Sequence, residues 1–126
     1  PHFVNIEKFS TDYCNKLKST YRLVSDQGGI FLHFFQPSIH TKSKLNSYEM
    51  LVLERNKNAL PSMHSVYKRT IPIMENCLSG LRFSKNLTKS FDKLEISPYL
   101  DGCHISEIGN KVIATQMFES IQKIKN

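Results

Sequence analysis

Asp101 and His104 are the two side chains in this sequence whose types and spacing are best suited to chemistry. An aspartate that accepts a hydrogen bond from one ring nitrogen of a histidine fixes the imidazole tautomer. The other ring nitrogen can then accept a proton from a nucleophile. The pair therefore predicts the acid and the base of a proton relay. The alternative is a surface turn that leads into a helix, because this spacing alone also occurs by chance.

Four segments have the apolar periodicity of amphipathic helices, and they predict helices over residues 5–24, 46–60, 61–78 and 107–124. Asn5, Asn46 and Ser106 are suited to the N-cap, and Glu49 takes the capping-box position behind Asn46. Pro72 lies inside the third helix and is expected to kink or split it. The predicted buried faces of the first and last helices are Ile6, Phe9, Tyr13, Leu17, Tyr21 and Val24, and Ile108, Val112, Ile113, Met117, Ile121 and Ile124.

Residues 29–35 form a short segment that is apolar on both faces, bounded by two glycines and by Gln36-Pro37. Such a strand is typical of a parallel sheet that is covered by helices on both sides. A helix followed by this strand is one piece of an α/β repeat, and residues 81–83 favour a second short strand. The predicted fold class is therefore α/β. His33 lies within the strand, and we predict that it is a hydrogen-bonded core histidine and not a metal ligand.

Gln36 and His40 belong to the polar loop that follows this strand. In open α/β sheets, ligands bind beyond the carboxyl ends of the strands. These two side chains are therefore candidate substrate-binding residues, and an ordinary surface loop is the alternative.

The 126 residues suit one domain, and we predict a single domain over residues 1–126. The net charge of +6 comes from 17 basic and 11 acidic residues that are scattered along the chain. Because there is no basic cluster and no nucleic-acid-binding motif, we expect a solvated basic surface and no nucleic acid partner. No apolar run is long enough to span a membrane. Cys14, Cys77 and Cys103 form no C-x-x-C motif, although Cys77 and Cys103 could pair in an oxidising compartment.

Residues 99–114, Tyr-Leu-Asp-Gly-Cys-His-Ile-Ser-Glu-Ile-Gly-Asn-Lys-Val-Ile-Ala, resemble the last motif block of the SGNH/GDSL hydrolase superfamily. That block has the form D-x-x-H, followed by a helix of the form G-N-x-x-I-A. Two looser similarities accompany it. Phe34-Phe35-Gln36-Pro37 resembles a strand-and-loop "QP" segment, and residues 87–91 are similar to a short L-S-x-x-F element.

The resemblance implies a three-layer α/β/α, flavodoxin-like domain with a parallel sheet, of which this chain is the C-terminal part. It implies that Asp101 is the orienting acid and His104 the general base of a serine esterase. The substrate would be an ester, with O-acetyl groups of a glycan as one possibility. No metal or cofactor is implied, because an acid–histidine–serine relay works without one.

The family's G-D-S nucleophile segment and its G-x-N-D oxyanion block are absent from this sequence. The expectation is that the N-terminal part of the same domain supplies them, and that the isolated chain is inactive and poorly soluble. An acyltransferase of the same fold and a non-enzymatic helical interaction module are the alternatives. The sequence assigns no compartment, because any targeting segment would lie upstream.

Overall fold

A computed structural model describes residues 5–125 of the chain. Within them, four helices and two strands follow one another as α1 (Ile6–Asp26), β1 (His33–Phe35), α2 (Ser47–Ala59), α3 (Pro61–Ser79), β2 (Ser84–Asn86) and α4 (Glu107–Lys125). The fold is mixed α/β, with a small two-stranded parallel sheet. The chain divides into two compact units, Pro1–Phe35 with Ser65–Asn86, and Gln36–His64 with Leu87–Asn126.

The ends of α1 confirm the predicted capping residues. The Asn5 side chain accepts a hydrogen bond from the Lys8 N–H at 2.9 Å, which satisfies one of the free donors of the first turn. At the other end, Gly28 has a φ of +74°, in the left-handed region that glycine adopts without steric cost. The helix ends at Asp26, just before this glycine and two residues beyond the predicted end at residue 24.

The two strands of the first unit are shorter than predicted. β1 and β2 pair over three residues, with His33 opposite Ser84 and Phe35 opposite Asn86. The predicted strand at residues 29–35 is therefore wrong in length, and Ile30 is 70% exposed. The predicted strand at residues 81–83 is wrong in position, because a turn closes there with a hydrogen bond from the Ser84 N–H to the Leu81 carbonyl.

A disulfide between Cys14 and Cys77 lies in the core of the first unit, beside Met74 and Leu78. The suggested pairing of Cys77 with Cys103 is therefore wrong. The buried face of α1 also differs from the predicted one. Ser10 and Cys14 are buried while Phe9 is 55% exposed, so the buried face of α1 includes the disulfide cysteine and not the largest apolar side chain.

Pro72 does not split α3, which runs unbroken from Pro61 to Ser79. Pro72 is exposed, so solvent can satisfy the carbonyl group that lacks its usual N–H partner one turn earlier. The expected split is wrong for this reason. His64, near the start of the same helix, is half-buried.

In the second unit, α2 begins with the predicted capping box. Asn46 accepts from the Glu49 N–H at 2.9 Å, and Glu49 accepts from the Asn46 N–H at 2.8 Å. The carboxylate of Glu49 also binds the ammonium of Lys42, at 2.7 and 2.8 Å from its two oxygens. The Lys42 and Glu49 side chains are 1% and 0% exposed, and Lys42 also donates to the carbonyl of Leu94. This ion pair is therefore fully hydrogen-bonded inside the unit.

The last helix, α4, differs from its predicted buried face. Ile113 is buried at 7% exposure, but Ile108, Ile121 and Ile124 are 45%, 39% and 44% exposed. The apolar stripe is therefore present in the sequence but only partly covered by the described residues. No helix among residues 5–125 combines the length and the apolar character that a membrane span requires.

We predict that reduction of the Cys14–Cys77 disulfide destabilises the chain. The bridge closes a loop with a sequence separation of 63 residues, and a cross-link over such a loop contributes about 4 kcal/mol. Urea unfolding of the air-oxidised chain, followed by circular dichroism, should show a lower midpoint when a reductant is added. Cys103→Ser is the control and should keep the same response. Recovery of a Cys77–Cys103 peptide from a non-reducing digest would contradict the pairing.

We also predict that Glu49→Ala lowers the free energy of unfolding by about 3–5 kcal/mol, because it leaves the buried Lys42 ammonium without a counter-charge. Glu54→Ala is the matched control, since Glu54 is exposed on the same helix, and its effect should stay within about 0.5 kcal/mol. Both are measured by urea unfolding. Equal effects of the two substitutions would mean that the ion pair does not stabilise the unit.

Candidate active site

The segment around Asp101 and His104 is a tight loop that is closed by backbone hydrogen bonds. Tyr99 and Ile105 form an antiparallel bridge. The Leu100 N–H donates to the His104 carbonyl at 2.9 Å, and the Ser106 N–H donates to the Pro98 carbonyl at 2.7 Å. Backbone hydrogen bonds alone therefore close the base of the loop.

Two tyrosine hydrogen bonds hold this loop against the rest of the second unit. Tyr99, which is 2% exposed, donates its phenol to the carbonyl of Ser38 at 2.8 Å. The Tyr48 phenol on α2 donates to the carbonyl of Leu100 at 3.1 Å. Burial raises the pKa of Tyr99, so it stays protonated and can continue to donate this bond.

Glycine is required where α4 starts beside the loop. A Cβ on Gly109 would collide with the side chain of Ile105 and lie 2.9 Å from the carbonyl oxygen of Pro98. Ser106 begins the helix, and its hydroxyl accepts from the Gly109 N–H at 3.4 Å, as predicted. The absence of a side chain at position 109 therefore lets the first turn of α4 approach the loop that carries His104.

The carboxylate of Asp101 makes three hydrogen bonds. Its Oδ1 accepts from the backbone N–H groups of Cys103 at 2.9 Å and His104 at 2.8 Å. Its Oδ2 lies 2.6 Å from Nδ1 of His104. If Nδ1 carries the proton, Oδ2 accepts it, and Nε2 is left with a free lone pair. Nε2 has no hydrogen bond to any of residues 5–125, and the His104 side chain is 74% exposed.

These hydrogen bonds hold the pKa of Asp101 well below its usual range. The largest cause is the N–H of His104, followed by the N–H of Cys103 and the imidazole of His104. Each bond stabilises the ionised form, so the carboxyl is an anion throughout the neutral range. A permanent anion next to Nδ1 is what an orienting acid requires.

Cys103 is the neighbouring group that sequence reasoning did not place in the site. Its thiol is exposed and free of any disulfide, and Sγ lies 3.8 Å from Nδ1 of His104. Partial loss of hydration at the thiol, and then the negative charge of Asp101, raise the pKa of Cys103. Its position next to His104 in the sequence was the available signal.

The two predicted substrate-binding residues belong to the loop that packs on this segment. The Ile39 N–H donates to the carbonyl of Gly102 at 3.5 Å, so residues 36–41 run beside the Asp101 loop. Gln36 is exposed. His40 is half-buried and faces His64, with their ring centroids 5.2 Å apart. Burial, and then the proximity of His64 and Lys57, lower the pKa of His40.

A serine–histidine contact lies in the first unit. His33 has Ser84 Oγ at 2.9 Å from Nδ1 and the Tyr13 phenol at 2.9 Å from Nε2. It is a hydrogen-bonded, half-buried histidine, as predicted. Burial lowers the pKa of His33. The group that binds its Nε2 is the phenol of Tyr13 and not a carboxylate. Both features oppose the imidazolium that a general base must form, so this cluster is less suited to catalysis than Asp101 and His104.

Comparison of the chain with protein-family models, with curated proteins and with solved structures finds no match.

We predict that His104 is the Nδ1–H tautomer when its ring is neutral, because the Asp101 carboxylate accepts a bond from Nδ1. The nitrogen-15 chemical shifts of the ring, read in a long-range ¹H–¹⁵N correlation spectrum, distinguish the two tautomers. Asp101→Asn should shift the population toward Nε2–H, the commoner tautomer of an unrestrained histidine. Glu107→Gln, a change at an exposed carboxylate outside the loop, should not. A dominant Nε2–H form in the unmodified chain would contradict the assigned geometry.

Proposed function

We propose that this chain supplies the acid and the base of a serine ester hydrolase of the SGNH type. The observation that carries the proposal is the contact between Asp101 Oδ2 and His104 Nδ1 at 2.6 Å, with Nε2 left unbonded and open to solvent. The parallel pairing of β1 with β2 supports an α/β sheet at the coarse level. The finer assignment, a three-layer flavodoxin-like domain, is part of the proposal and follows from the resemblance of residues 99–114.

In the proposed mechanism, Nε2 of His104 takes the proton of a serine hydroxyl as its oxygen attacks the ester carbonyl. The imidazolium that forms is stabilised by Asp101, which remains ionised. When the tetrahedral intermediate collapses, Nε2 returns the proton to the leaving alcohol. A water molecule then attacks the acyl-enzyme in the same way and regenerates the serine.

The serine and the oxyanion donors are the parts that this chain lacks, since neither a G-D-S nor a G-x-N-D segment occurs in it. We propose that they belong to an N-terminal part of the same domain. The exposed apolar side chains of α4 support this, because a surface of that kind favours a covering partner. They are Ile108, Phe118, Ile121 and Ile124.

The substrate class follows from the same relay. An ester needs no metal for this chemistry, and the resemblance to SGNH/GDSL hydrolases is the basis for proposing O-acetyl groups on a carbohydrate as the substrates. Gln36 and His40 are the proposed contacts to substrate, because their loop runs beside the Asp101 loop. Transfer of the acyl group to a second hydroxyl, in place of water, would give the acyltransferase alternative with the same acid and base.

We predict that His104→Ala and Asp101→Asn abolish hydrolysis of p-nitrophenyl acetate by a protein that joins this chain to a G-D-S segment. Loss of the orienting acid costs about 10⁴-fold in turnover in a serine protease, so a comparable or larger loss is expected here. The isolated chain should give no turnover above the buffer rate. The rates are followed by release of p-nitrophenol.

Glu107→Gln is the control, because this exposed side chain lies outside the relay, and it should keep the full rate. Circular dichroism of each variant checks that the fold is retained. Turnover by the isolated chain, or an unchanged rate for folded His104→Ala, would refute the proposed division of the active site.

A further inference from the structure

We propose that Asp101, Cys103 and His104 form a binding site for a soft divalent transition-metal ion such as Zn²⁺, and that an ion bound there disables His104 as a base. The first half concerns binding and stands alone. The second half rests on the proposed function. No motif of the hydrolase resemblance assigns Cys103 a role, and the metal site is inferred from the positions of the three side chains.

The three side chains offer sulfur, nitrogen and oxygen ligand atoms that all lie within 4.8 Å of one another. Tetrahedral zinc with ordinary Zn–S and Zn–N bond lengths places sulfur and nitrogen about 3.6 Å apart. The observed distance from Cys103 Sγ to His104 Nδ1 is 3.8 Å. These two ligands are therefore already spaced to share one ion.

The third ligand requires a small adjustment. Asp101 Oδ2 lies 2.6 Å from Nδ1, a hydrogen-bond distance, whereas two ligands of one zinc ion lie about 3.4 Å apart. Small rotations of the carboxylate and the imidazole, which move these two atoms apart by less than an ångström, bring them to the spacing that zinc requires. This adjustment involves the side chains alone. The bridge between Tyr99 and Ile105 keeps the backbone of the loop in place.

The oxygen of Asp101 that would not bind the ion accepts hydrogen bonds from the protein, as the ligands of metal sites commonly do. Asp101 Oδ1 accepts two backbone N–H groups, from Cys103 and His104, while Oδ2 lies beside Nδ1 of His104. Such outer hydrogen bonds orient a ligand and raise the affinity of a site. They also keep Asp101 beside Cys103 and His104, so the ligand set is assembled before an ion arrives.

The ligand types define the class of ion. A thiolate and an imidazole favour zinc and related soft ions, whereas magnesium and calcium prefer oxygen ligands. All three residues are exposed, so an ion can enter from solvent and keep a water molecule as its fourth ligand. The expected site therefore has three protein ligands and one open position.

Metal binding and base catalysis require opposite tautomers of His104. In the relay, Nδ1 carries the proton and Nε2 has the lone pair that accepts the proton of the serine. An ion bound at Nδ1 takes the lone pair of that nitrogen, so the neutral ring carries its proton on Nε2. Binding breaks the S–H bond of Cys103, moves the ring proton from Nδ1 to Nε2 and releases one proton per ion. No electron is transferred.

Binding is tested on the chain itself with Co²⁺, which reports a bound thiolate by an intense charge-transfer band. We expect the band to saturate at one ion per chain, and Zn²⁺ to abolish it by displacement. Cys103→Ser should remove the band, and Asp101→Asn and His104→Gln should each weaken Co²⁺ binding at least about tenfold. Glu107→Gln is matched to Asp101→Asn and should bind like the unmodified chain. A missing band, or unchanged binding by His104→Gln, would overturn the site.

The effect on the base is tested in the protein that joins this chain to a G-D-S segment. Zn²⁺ should reduce hydrolysis of p-nitrophenyl acetate at least tenfold, and a chelator should restore it. Inhibition of Cys103→Ser, measured against its own zinc-free rate, should require at least tenfold more Zn²⁺. Full activity with the site saturated would overturn the switch. Absence of hydrolysis in every sample would refute the proposed function, while the cobalt band would still decide the metal site.

Discussion

The carboxylate of Asp101 is the group on which the candidate site depends. One of its oxygens accepts two backbone N–H groups and so sets the path of the chain from Asp101 to His104. Its other oxygen accepts from the imidazole and so sets the direction of the ring. The same side chain therefore folds the loop and orients the imidazole of His104. Because both N–H donors stabilise the anion, neither role requires a buried counter-charge.

The rest of the second unit supports this loop through buried polar contacts. The buried Lys42–Glu49 pair joins the start of α2 to the segment before the loop through the carbonyl of Leu94. The phenol of Tyr99 then joins the loop to residue Ser38. Both contacts bury polar groups that would destabilise the unit if they lacked partners, so they fix the segments in one arrangement.

The parts of this arrangement that the sequence predicts are those governed by local chemistry. The caps at Asn5, Asn46 and Ser106 were predictable because a cap depends on residues within one turn. The pairing of Asp101 with His104 was predictable because three residues separate them. Two long-range contacts were not predictable, because they depend on packing that periodicity does not encode. They are the Cys14–Cys77 disulfide and the hydrogen bond between His33 and Ser84. The exposed isoleucines of α4 show the same limit, since a stripe indicates a buried face but not which partner covers it.

Exposure is the property that connects the two proposals for this loop. In water, a charged hydrogen bond is weakened by competition with solvent, so at 51% and 74% side-chain exposure the Asp101–His104 bond is weaker than it would be in a covered site. In the proposed hydrolase, the segment that carries the serine would cover this pair and so strengthen its hydrogen bond. The same exposure to solvent allows an ion to reach Nδ1 of His104 and the thiol of Cys103. Covering the loop would therefore favour the proposed proton relay, and leaving it open would favour the proposed binding of a metal ion. The neutral imidazole of His104 carries its proton on Nδ1 in the first case and on Nε2 in the second.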